Sequence, residues 1–136
     1  MLKLSKKTDY AIILLTHLGG FDDPVSAHKV ASHYRLPYPM VANILKQLVH
    51  SGLIKSIRGQ RGGYALAKPA ENIILSEIIE VTDNPFTLVE CVHDMELCKV
   101  EKCCPSKRTL IALHSKIQKY IEETTLASII NDAKYN

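Results

Sequence analysis

The stretch Ile54-Lys55-Ser56-Ile57-Arg58-Gly59-Gln60-Arg61-Gly62-Gly63-Tyr64-Ala65-Leu66 decides how this chain of 136 residues is read. Ile54–Ile57 and Tyr64–Leu66 have the make-up of two short strands, and the glycines between them supply the turn. Arg58 and Arg61 fall at the tip of that hairpin. On its N-terminal side, Ser26 is a good N-cap for a short helix over Ala27–Tyr34, with Val30 and Ala31 facing inward. Leu36-Pro37-Tyr38-Pro39 reads as a turn, and Pro39 suits the first turn of a second helix, where a missing N–H costs nothing. That helix runs to about Ser51 with Val41, Ile44, Leu45 and Leu48 on one face, and Gly52 closes it. Two short helices at a tight turn followed by an arginine-tipped hairpin make a winged helix-turn-helix.

Further out, residues 6–18 place Tyr10, Ala11, Leu14, Leu15 and Leu18 at helical spacing, and Gly19-Gly20 ends the pattern. Beyond the hairpin come a linker over Ala67–Asn72, a short helix over Leu75–Thr82, and an irregular stretch over 84–104. From Ser106 to about Glu123 a long helix carries Leu110, Leu113, Ile117, Tyr120 and Ile121 as one apolar stripe, and Leu126–Ile130 adds a short amphipathic turn. The expected fold is therefore mainly α with a small β-hairpin wing and a long dimerisation helix. It divides into a winged domain (1–83), a cysteine-bearing sensor loop (84–104), and the dimerisation helix with its tail (105–136).

Charge is uneven along the chain. Residues 1–68 hold ten Lys/Arg against three acids, and the remainder holds seven against eleven. A basic half joined to an acidic half points to a polyanion-binding module attached to something else. No His/Asp/Glu constellation suits catalysis, so an enzyme is not expected. Ala11–Leu15 is too short for a signal core or a membrane span, which makes the expected setting cytoplasmic and away from membranes.

The expected ligand of the basic half is double-stranded DNA. A helix set in the major groove presents its N-terminal residues to base edges and its flanks to phosphates. That assigns Tyr38, Pro39, Met40, Ala42 and Asn43 to the bases, with the Asn43 amide suited to adenine. Lys46 and Ser26 would hold phosphates, Ser26 through its hydroxyl and the free N–H groups at its helix start. Arg58 and Arg61 suit a narrow minor groove, and Gly59, Gly62 and Gly63 would let the wing backbone approach the duplex.

All four cysteines (Cys91, Cys98, Cys103 and Cys104) fall within the irregular stretch. In a reducing compartment this is a metal or redox site before it is a disulfide framework. Cys91-x6-Cys98-x5-Cys104 offers three thiolates on a flexible loop, which fits an iron–sulfur cluster. A fourth ligand would come from Cys103, from His93 or Asp94, or from another subunit. Zinc is a competitor, although the loop lacks tight cysteine pairs of the usual spacing. Thiols that oxidise to disulfides, and plain buried cysteines, also remain open.

Several segments together resemble a known family. They are Thr8-Asp9-Tyr10-Ala11 in the first helix, the helix-turn-helix, Ser56–Leu66, Leu75-Ser76-Glu77-Ile78-Ile79, and a three-cysteine loop before a long helix. In that order they resemble the IscR/NsrR/CymR family of bacterial winged-helix regulators, and the Arg-Gly-x-x-Gly-Gly-Tyr wing is the most specific match. The opening Leu-Ser-Lys-x-Thr-Asp-Tyr-Ala resembles the branch that regulates the SUF iron–sulfur assembly genes. The resemblance implies a homodimeric repressor-type regulator paired through the long helix. Its operator binding would be gated by a [2Fe-2S] or [4Fe-4S] cluster on Cys91, Cys98 and Cys104, the last followed by Pro105. Cluster-free relatives imply the alternative, a regulator that uses thiol oxidation or a partner protein as its signal; a small redox carrier is the more distant one.

The chain also departs from the family. Where IscR-like members place a histidine as fourth ligand, Lys107 stands here and cannot serve. Asp9 falls where NsrR-like members use an aspartate contributed across the dimer, so Asp9 of the partner subunit and Cys103 are rival fourth ligands. A common Ser-x-Ser-Tyr-Leu-Glu pattern in the recognition helix becomes Pro37-Tyr38-Pro39-Met40-Val41-Ala42, which changes the operator to be expected.

Overall fold

A computed structural model describes residues 3–89, 92, 100 and 103–134. The elements follow the order α1 (Lys6–Gly19), α2 (Ala27–Tyr34), α3 (Tyr38–His50), β1 (Ile54–Ile57), β2 (Gly63–Leu66), a 3-10 turn (Ala70–Asn72), α4 (Leu75–Thr82), α5 (Lys107–Glu123) and α6 (Leu126–Lys134). Helices with one antiparallel hairpin are the expected fold class. The caps are the expected local signals: Ser5 and Ser26 extend into β-type backbone and accept the N–H groups of Thr8 and Lys29, each at 3.2 Å. Between α2 and α3 the turn is made by Arg35, which takes a left-handed conformation (φ 53°) and donates its N–H to Ala31 and Ser32 carbonyls. Pro37 precedes α3 and Pro39 sits in its first turn.

One core serves all of the first three helices and the hairpin. Leu14 and Leu15 of α1, Val30 of α2, and Ile44, Leu45 and Leu48 of α3 are fully buried together. The hairpin pairs Ile54 with Leu66 and Ile57 with Gly63, so the second strand begins one residue earlier than its side chains announce. Val25 adds a third, bridge-length strand: its N–H donates to the Tyr64 carbonyl at 2.9 Å, and the Tyr64 N–H donates back at 2.8 Å. The wing is thereby welded to the residue that precedes the Ser26 cap.

The C-terminal end is more deeply engaged than its composition indicates. The expected short turn at Leu126–Ile130 is a nine-residue helix, α6. Thr125 bridges Ile74, the Leu126 N–H donates to the Ile73 carbonyl at 2.8 Å, and Leu126 is fully buried in the core of α1–α3. Ile130 closes on Gly19, where a Cβ would lie 2.5 Å from the Ile130 side chain. A backbone bridge to a segment some fifty residues away leaves no local signal, which is why this helix is hard to read from its own sequence.

Two polar ties hold α4 in place. Thr8 of α1 and Thr82 of α4 are both buried, with their hydroxyl oxygens 2.8 Å apart, and the Thr82 hydroxyl also lies 2.8 Å from the Ile78 carbonyl. At the other end, Lys68 donates to both Glu77 oxygens at 2.9 and 3.2 Å, and the Ile74 N–H donates to Glu77 at 3.1 Å. Burial alone would raise the Glu77 carboxyl, but these bonds and the Lys68 charge hold it below its ordinary range.

The Val25–Tyr64 weld sets a steric requirement at Gly63. With φ at 149°, a Cβ there would stand 2.5 Å from the Val25 carbonyl group. Gly63→Ala is expected to cost on the order of 1–3 kcal/mol in denaturant unfolding, the scale of forced backbone strain. Gly59→Ala, whose Cβ would meet open space, is expected to cost less despite its positive φ.

Candidate nucleic-acid interface and cysteine loop

Helix α3, the expected recognition helix, divides its residues by burial. Val41, Ile44, Leu45 and Leu48 pack inward, whereas Tyr38, Pro39, Asn43 and Lys46 are exposed. Pro39, Asn43 and Lys46 recur at helical spacing and form one solvent-facing row, which His50 extends. Met40 is half-buried against the core and Ala42 is intermediate, so these two lie at the edge of that row. Ser26 holds the N-terminus of α2 through its hydroxyl oxygen, as its sequence position indicates.

The wing presents Arg58, Gly59, Gln60 and Arg61 as exposed residues. Among the described residues neither arginine makes an ion pair, so both guanidinium groups are available to a polyanion. The glycines do more than the sequence reading asks of them. A Cβ on Gly62 would stand 2.1 Å from the Ile57 carbonyl oxygen, so Gly62 is required by the wing's own backbone. Gly63 is required by Val25, and of the three wing glycines Gly59 alone combines a positive φ with open space around it.

One residue of this surface escaped the sequence reading. His28, in the first turn of α2, lies flat on the Tyr38 ring, with centroids 3.9 Å apart and planes 4° from parallel. The two residues are ten positions apart on different helices, and no local pattern announces the contact.

The cysteine loop is described in part. Cys91 and Cys98, with His93 and Asp94, lie outside the described residues. Cys104 is a free, half-exposed thiol whose sulfur lies 3.4 Å from the Ser106 hydroxyl, just before α5 begins. The Ser106 hydroxyl and then its N–H push the Cys104 thiol below its ordinary pKa; slight burial opposes them, and the Lys107 N–H and charge add to the lowering. Cys103 is free and exposed, but its thiol turns back to the Val100 carbonyl at 3.7 Å. Asp9 is exposed in the first turn of α1, beside buried Thr8. Among the described residues no three His, Cys, Asp or Glu side chains converge as a metal site. The start of the loop is anchored by a residue the sequence reading passed over. Buried His114 of α5 accepts the Leu88 N–H on Nδ1 at 3.3 Å and stacks on Phe86 at 5.4 Å.

The profile of the Rrf2 family, described as "Iron-dependent Transcriptional regulator", matches residues 4–132. The chain belongs to the Rrf2 family. An HTH-type transcriptional regulator NsrR of Halalkalibacterium halodurans is 29% identical over 134 residues, covering 96% of this chain and 92% of that protein. Among solved structures, CymR of B. subtilis, a global cysteine regulator, superposes with a TM-score of 0.81 at 29% identity, covering 96% of this chain and 98% of that one. IscR of T. potens superposes with a TM-score of 0.71 at 28% identity, covering 97% and 88%. This Rrf2 chain is accordingly a transcriptional regulator with a winged-helix fold and not an enzyme, and the family implies DNA binding. No helix of the described residues is long and apolar enough to cross a membrane.

The exposed guanidinium groups generate a direct test. Arg58→Ala and Arg61→Ala are each expected to weaken duplex binding severalfold and to lower the salt slope by about one. Because both residues are exposed, thermal unfolding of the two variants should match the parent chain.

Proposed function

We propose that this Rrf2 chain is a homodimeric, operator-binding regulator whose DNA affinity is set by an iron–sulfur cluster held on Cys91, Cys98 and Cys104. The observation that carries the reading is Cys104. Clusters are held by thiolates, and this free thiol is turned toward the thiolate form by Ser106 at the head of α5. The donor chemistry of the described part of the loop therefore fits the group. Cys103 and Asp9 of the partner subunit are the two candidates for fourth ligand. Both are exposed, but Cys103 adjoins Cys104 and neighbouring thiolates do not easily share one metal site, which favours Asp9. When bound, the cluster supplies a link among thiolates that oxidation or nitric oxide destroys.

The rest of the reading concerns this chain's own side chains. Residues 1–83 read DNA through Tyr38, Pro39, Met40, Asn43, Lys46 and Ser26 on the helices and Arg58, Gly59, Arg61 and Gly62 on the wing. Residues 84–104 form the sensor segment, and 105–136 pair the subunits while α6 braces α1. Leu113 and Tyr120 of α5, 45% and 71% exposed, supply apolar area for that pairing. Asp9 follows Thr8, and Thr8 is bonded to Thr82 at the end of α4, so the helix carrying Asp9 and the helix leading into the loop move together. Since α1 also packs on α3, a change at the loop reaches the spacing of the two recognition helices, which fit half-sites about one turn apart in one arrangement only.

A second reading has its own support. Cys103 and Cys104 are adjacent free thiols, and the structural neighbour CymR is a cysteine regulator. In that case the signal would be thiol oxidation or a partner protein.

Anaerobic reconstitution with iron and sulfide separates the two. The expected result is visible absorption with stoichiometric iron and sulfide, lost in Cys98→Ala, and reduced in Asp9→Ala but not in Cys103→Ala. Absence of absorption together with normal regulation by Cys98→Ala sinks the cluster reading. Loss of free thiols under mild peroxide in metal-free protein would then support the second.

A further inference from the structure

We infer that His28 is a specificity-determining positioning residue, which acts by holding Tyr38 in one orientation at the head of the recognition helix. The inference rests on the reading of α3 as the base-reading helix and deepens it. Tyr38 is the first residue of α3 and is 42% exposed, so its own helix does little to fix its ring. Pro37 and Pro39 flank it and fix the backbone there, but neither constrains the tyrosine side chain. The ring is fixed from the other helix. His28 stands in the first turn of α2, two residues beyond the Ser26 cap, and its imidazole covers one face of the phenol at 3.9 Å and 4°.

Two exposed rings that stack flat across a helix-turn-helix do not serve the core. Both remain exposed at the starts of α2 and α3, and no hydrogen bond ties either ring among the described residues. The stack therefore leaves the phenol hydroxyl and the ring edge free to meet a base, while removing rotamer freedom that binding would otherwise have to quench. In this chain the hydroxyl-rich start of the recognition helix is replaced by Pro37-Tyr38-Pro39, which leaves the tyrosine as the polar side chain at that end. A base contact made by one long, exposed ring discriminates only if the ring is held. His28 supplies the hold, and it need carry no charge to do so.

The test uses the full-length protein and a randomised duplex pool. The parent chain is selected against the pool, and Tyr38→Ala, His28→Ala and His28→Phe are then compared on the enriched duplex and on an unenriched one. His28→Ala is expected to lose discrimination about 2–10-fold, the scale of one aromatic pair, at the same base positions that Tyr38→Ala relaxes. His28→Phe, which keeps a ring on the tyrosine but has no ring nitrogen, is expected to restore it. Affinity for the unenriched duplex, its salt slope and thermal unfolding should be unchanged in both His28 variants. The inference is overturned if His28→Ala keeps full discrimination while Tyr38→Ala loses it, if His28→Phe fails to rescue, or if the loss appears equally on the unenriched duplex. An outcome in which the parent chain enriches no sequence removes the base-reading helix itself, and the inference with it.

Discussion

Val25 and Tyr64 exchange both of their backbone hydrogen bonds, and most of the surface proposed to face DNA depends on that exchange. A two-stranded hairpin is marginal by itself. Here it gains a third, single-residue strand from the segment just before α2, at a separation so short that only glycine fits at position 63. The contact fixes the wing relative to Ser26 and α2, and the α2–α3 packing around Val30 and Ile44 fixes α2 relative to the recognition helix. Arginines on a loop tip and an asparagine on a helix are thereby held in one frame, as a duplex with regularly spaced grooves requires.

The same economy of contacts links this frame to the cysteine segment. Thr8 and Thr82 meet inside the protein, and their bond spans seventy-four residues of sequence. A buried hydroxyl pair is costly to leave unsatisfied, so α1 and α4 are held as a unit. From the far side, His114 holds the Leu88 N–H and the Phe86 ring, so the segment entering the loop is fastened to α5 as well. The segment that leads into the cysteines is thereby tied to α1 through Thr82 and to α5 through Phe86 and Leu88, and under the proposed function this is the route from the thiols to α1.

Local signals carried most of the fold. Ser26, Pro39 and Gly52 mark their boundaries through capping and backbone preference, which depend on neighbours in sequence, and α2, β1 and α4 fall where composition places them. What escaped depends on distant partners. The length of α6 follows from Leu126 entering a core built by α1–α3, and the His28–Tyr38 stack joins two helices across a turn. Gly62 and Gly63 were legible as residues that must lack a side chain, but the neighbour that forbids one is the protein's own backbone. His114 carries no local signal in the sequence, and its role as an acceptor for the Leu88 N–H depends on a residue twenty-six positions away.

The proposed regulator is an arginine-tipped winged helix that binds duplex DNA, with a cysteine segment that decides how selectively. The most direct test is the salt dependence of duplex affinity, measured on enriched and unenriched DNA for the iron-loaded and the metal-free protein. The predicted result is a fall on the order of 10³-fold between about 50 and 200 mM salt for both forms, with discrimination between the two duplexes differing between the forms. A flat salt response would contradict the DNA-binding surface, and equal discrimination by the two forms would contradict its control by the loop.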